Sequence, residues 1–84
     1  MSTDLYWMPS PKESPPPEVL DTDLKRILAR RLWNHDGSLH GEAREVTSAL
    51  IPYLEGLADG GVDGAAELIA AIREHHTVLI WIEG

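Results

Sequence analysis

Thr77-Val78-Leu79-Ile80-Trp81-Ile82-Glu83 is the stretch on which the architecture turns. It holds five consecutive apolar residues, with β-branched side chains at 77, 78, 80 and 82 and a tryptophan among them, and reads as a β-strand. A strand that is apolar on both faces is normally covered on both, and its backbone amides need a partner strand. One other segment can supply that partner: Leu5-Tyr6-Trp7-Met8, short, apolar and aromatic. Two strands alone make a marginal sheet. The sequence therefore leaves two arrangements open: helices packed on one face of a sheet made by the terminal strands, or a homodimer in which those strands join across the interface.

Between the two strands the chain reads as a connector followed by helices. Residues 9–18 contain five of the six prolines and should run extended as a stiff connector. Their spacing contains no P-x-x-P and no P-P-x-Y, so nothing marks them as a docking ligand. The first helix should start at Asp21 or Thr22, both good N-caps, with Leu20, Leu24, Ile27, Leu28 and Leu32 on one face. Asp21 and Asp23 then sit at the positive end of its dipole and Arg30 and Arg31 near the negative end. Gly37 is suited to a left-handed turn after it. Residues 41–58 read as a second helical stretch with Ala43, Val46, Leu50, Leu54 and Leu57 on its inner side, kinked or divided at Pro52. A strand there is disfavoured because no period-2 alternation holds. A third helix is predicted over residues 63–75, capped by Asp63, with Ala65, Leu68, Ile69 and Ile72 inward. The expectation is a single α+β domain: about three helices packed on a small sheet formed by the N- and C-terminal strands. Its parts are a strand in 1–8, a proline-rich connector in 9–18, a helical part in 19–76 and a strand in 77–83.

Composition bounds the function. At 84 residues with 43% hydrophobic content, the chain is long enough for one domain with a thin core. The absence of Cys excludes disulfides, thiolate metal sites and a cysteine nucleophile. The formal charge of −7 repels nucleic-acid backbones and favours basic protein surfaces, besides serving solubility. Residues 1–8 lack the basic start of a signal peptide, and the longest apolar run, 78–82, is far short of a membrane span. The chain reads as cytoplasmic, with no nucleic-acid or membrane partner. Its preference for Ala, Gly, Leu and Arg suggests a GC-rich bacterium or a phage.

No segment carries a recognisable catalytic motif. His35, Asp36, His40 and Glu42 lie close together in sequence and offer nitrogen and oxygen ligands, so His35, Asp36 and His40 are weak metal candidates. The five-residue gap across a glycine fits no ligand motif. His75 and His76 are explained by the dipole at the end of the third helix. Asp59-Gly60-Gly61-Val62-Asp63-Gly64 lacks the oxygen donors of a calcium loop and the pattern of a phosphate loop. Lys25, Arg26, Arg30 and Arg31 flank the apolar stripe of the first helix and read as its solvated side.

Trp33 and one of Trp7 and Trp81 are expected in the core, the remaining one at the surface. The favoured function is a small, acidic, non-enzymatic protein-binding module, such as a regulator or inhibitor, without cofactor. The candidate contact residues are Tyr6, Trp7, Leu79 and Trp81 in the strands and the acidic Glu42, Glu45 and Glu55. Two alternatives stand beside it: a small His/Asp metal-binding protein or enzyme, and a structural subunit that adds its C-terminal strand to a partner's sheet.

Overall fold

A computed structural model describes residues 3–10 and 17–84. The elements, in chain order, are β1 (Asp4–Pro9), β2 (Glu18–Leu20), α1 (Thr22–Leu32), β3 (Gly41–Thr47), a 3-10 turn (Ser48–Leu50), α2 (Ile51–Asp59), α3 (Ala65–His75) and β4 (Thr77–Glu83). Three helices pack against one antiparallel four-stranded sheet of order β2-β1-β4-β3, an α+β architecture.

The two terminal strands pair with each other inside one chain. Leu5 lies opposite Ile82, Tyr6 opposite Trp81, and Met8 opposite Leu79. The sheet is twice as wide as the terminal strands alone could make it, because β2 and β3 extend it at the two sides. β4 is hydrogen-bonded on both edges, to β1 and to β3, so the C-terminal strand offers no free edge to another sheet. Most of the proline connector, residues 11–16, lies outside the described residues; Glu18–Leu20, at its end, is strand β2.

The helical reading of residues 41–58 is corrected in its first half. Gly41–Thr47 is strand β3, Ala43 is exposed, and only from Ile51 onward is the segment α-helical, with Pro52 in the first turn. Two features explain the difference. The apolar strand β4 has two edges to satisfy, and β3 supplies the second ladder, with Val46 opposite Val78 and Thr47 opposite Thr77. The register shifts between Gly41 and Arg44, a bulge that erases the alternation a strand would otherwise display in sequence.

The other elements follow local rules. The Asp21 carboxylate accepts the Asp23 N–H at 2.8 Å and caps α1. Gly37 takes a φ of 89°, the left-handed conformation expected of it. Helix α3 begins one residue later than the Asp63 cap implies, with Gly64 at the N-cap position.

The core lies between the helices and one face of the sheet. Leu5, Val78, Ile80 and Ile82 from the strands meet Leu24 and Leu28 of α1, Leu54 of α2, and Leu68 and Ile72 of α3. Each fully buried aliphatic side chain of this kind contributes about 1.5–3 kcal/mol. None of the three tryptophans is fully buried: Trp7 and Trp33 pack half-buried against the core, and Trp81 lies half-buried on the opposite face of the sheet.

Candidate functional site

Strand β4 alternates strictly. Val78, Ile80 and Ile82 are buried under the helices, which turns Thr77, Leu79, Trp81 and Glu83 to the other face. In β1 the same rule puts Leu5, Trp7 and Pro9 toward the helices and Asp4, Tyr6 and Met8 away from them. Register then builds three cross-strand pairs down the middle of this open face: Asp4 with Glu83, Tyr6 with Trp81, and Met8 with Leu79. Successive pairs stand about 7 Å apart along the strands.

Each pair has its own chemistry. The Tyr6 and Trp81 rings stack, with centroids 5.8 Å apart and planes 18° from parallel. The Trp81 Nε1–H donates to Glu83 Oε1 at 2.9 Å, which holds the indole's orientation. Such aromatic pairs contribute about 0.5–1.5 kcal/mol beyond the area they cover. Asp4 and Glu83 are like charges set directly opposite each other, an arrangement that costs a sheet stability. Val19 of β2, 53% exposed, extends the apolar surface beside Tyr6. Glu45 of β3 stands beside Leu79 at the other side. Between β1, β4 and the bulged end of β3 lies a shallow groove of about 330 Å³, lined by Met8, His40, Gly41, Ala43, Leu79 and Trp81.

Of the contact residues expected from sequence, Tyr6, Leu79, Trp81 and Glu45 come together on this face. Trp7 does not: it faces the helices, its ring 6.2 Å from that of His75. Glu42 is exposed at the bulge, and its carbonyl oxygen accepts the Trp33 indole N–H at 2.9 Å. Glu55 sits on α2, where it pairs with Arg73 of α3 at 3.6 Å. The residues of this face that sequence reading missed are Asp4, Met8, Val19, Ala43 and Glu83, and His40, named there only as a metal candidate, lines the groove. Antiparallel pairing with strict alternation would have placed Asp4, Met8 and Glu83; Val19 and Ala43 lie on strands that the sequence did not announce.

The histidine cluster is divided between two places. His35 and Asp36 order the loop after α1: the Gly37 N–H donates to His35 Nδ1 at 3.0 Å, and the Ser38 N–H to Asp36 Oδ1 at 2.9 Å. Since Nδ1 accepts, the neutral ring carries its proton on Nε2, which is buried without a hydrogen-bond partner among the described residues. The hydroxyl and the N–H of Ser38 hold the Asp36 carboxyl below its usual value of 3.8. His40, by contrast, lines the groove on the open face. Among the described residues no three His, Asp or Glu side chains converge as metal ligands. Nor is any helix among them long and apolar enough to cross a membrane.

No family model matches the chain, and neither the curated proteins nor the solved structures yield a relative.

Proposed function

We propose that this chain is a small, non-enzymatic protein-binding module that docks its partner on the open face of the sheet. What supports this is the surface made by Tyr6, Met8, Val19, Leu79 and Trp81: contiguous, apolar and aromatic, on the face of the sheet opposite the helices. Exposed patches of this composition with a polar rim mark contact sites, and Tyr and Trp are the residues that most often carry binding energy in them. The rim here is acidic, with Asp4, Glu45 and Glu83.

The test compares the wild-type chain with a Tyr6→Ser/Leu79→Ser double variant, each immobilised and exposed to extract of the source cells. A protein retained by the first and released by the second identifies the partner and the face together. Equal retention by both, with the variant's circular dichroism unchanged, refutes docking on this face.

A further inference from the structure

We infer that the docking partner is a protein segment in which an arginine or lysine stands about two helical turns from an apolar anchor, the cation seating between Asp4 and Glu83 and the anchor in the groove beside Trp81. This rests on the open sheet face being the docking surface.

Among the described residues the cations keep to one side of the sheet. Asp4, Glu45 and Glu83 belong to the open face. The described lysine and arginine residues lie elsewhere: Lys25, Arg26, Arg30 and Arg31 on α1, Arg73 on α3, and Arg44 on β3, where it shares the helix side with Val46. Among the described residues, therefore, no lysine or arginine of this face neutralises the Asp4–Glu83 pair, and an incoming cation relieves a repulsion as well as gaining two carboxylate contacts. Next to that pair stands the Tyr6–Trp81 stack, whose ring faces favour a cation's aliphatic stem. One step further along the strands, Met8 and Leu79 floor the groove. The order acid, aromatic, aliphatic thus runs in one direction down β1 and β4 and sets how a partner lies. Two such steps, about 14 Å, separate the acid pair from the groove floor, so a helix with its cation about two turns from its anchor fits, the side chains spanning the remainder.

A second copy of this chain is the wrong occupant. A two-fold contact would set the carboxylates of one face against those of the other or bury them unpaired, on a molecule already at −7.

The probe is a short amphipathic Leu/Lys helical peptide, with its Leu/Glu counterpart as the control, followed by fluorescence anisotropy of labelled peptide. Asp4→Asn/Glu83→Gln should weaken binding about tenfold. Asp59→Asn/Glu67→Gln, which removes the same charge away from the face, should leave it within about twofold. Melting temperature must hold or rise in Asp4→Asn/Glu83→Gln, which separates lost contact from lost folding. Binding that is lost in Tyr6→Ser/Leu79→Ser but kept in Asp4→Asn/Glu83→Gln overturns the cation seat and leaves the docking face standing. Binding indifferent to both pairs overturns both, and an equal fall in the two charge variants reduces the effect to net charge and overturns the seat. A dimeric mass by light scattering that Tyr6→Ser/Leu79→Ser makes monomeric gives the face to a second copy, and overturns the inference as well.

Discussion

A β-carbon built on Gly41 would stand 3.0 Å from Cδ2 and Cε2 of Trp33, tighter than nearly all packed carbon contacts, so the ring or the strand would have to give by a few tenths of an ångström. The indole lies across the start of β3 at this point and donates to the carbonyl of Glu42, so the backbone approaches the ring because no side chain intervenes. Gly41→Ala is expected to destabilise the fold by about 1–3 kcal/mol, measured by urea unfolding, with a change in tryptophan emission. Asp36 gives a prediction of another kind. Its carboxyl is held below 3.8 by Ser38, so its contribution to the loop is present above that value and fades as pH falls through the lower folded-state value. Asp36→Asn should therefore flatten the loss of thermal stability seen on acidification below about pH 4, and an unchanged acid profile in the variant would contradict this. Single residues were readable from sequence where the rule is local. Asp21 caps a helix and Gly37 turns left-handed whatever surrounds them. Gly41 could not be read, because its reason lies eight positions away in the ring of Trp33.

At the scale of elements, what decides the outcome is whether a segment's pattern survives in one dimension. β4 shows itself through β-branching and aromatic content, and α1 and α3 through apolar spacing, and all three stand where the sequence puts them. β3 does not, because its bulge shifts the phase and its exposed outer positions leave Val46 as its main buried anchor. β2 is three residues long and owes its existence to the edge of β1 beside it. The alternation of β4 makes a sharp test of the two faces. Ile80 is fully buried and Leu79, its neighbour, is half-exposed. Ile80→Ala is expected to cost about 2–5 kcal/mol, whereas Leu79→Ser should stay within about 1 kcal/mol, both by chemical denaturation. Equal costs would mean that both faces of β4 are covered.

Across the whole molecule the cations are distributed unevenly: among the described residues every lysine and arginine lies away from the exposed aromatic face, which carries Asp4, Glu45 and Glu83, while the helix side carries both signs. Part of this face was legible: the sequence names Tyr6, Leu79, Trp81 and Glu45 as candidate contacts and they fall together on it, while the acidic pair at Asp4 and Glu83 emerges only once register sets them opposite each other. Two expectations belong at this scale. Neutralising that pair with Asp4→Asn/Glu83→Gln should raise stability by about 0.2–1 kcal/mol at low ionic strength, with the gain shrinking as salt is added. Association with a basic partner should slow as salt rises while dissociation changes little, a pattern that stopped-flow mixing resolves. The strand order has a consequence for how the molecule comes into being. The central pair of the sheet joins residues 4–9 to residues 78–83, so a ribosome releases β1 and its edge neighbour β2 long before β4 exists. Until β4 emerges, Leu5 and the inner faces of all three helices have no floor to close upon, and the nascent chain carries its apolar stripes uncovered. Folding therefore waits on β4, and the interval of synthesis before it emerges is a period in which this chain is exposed to chaperones and proteases.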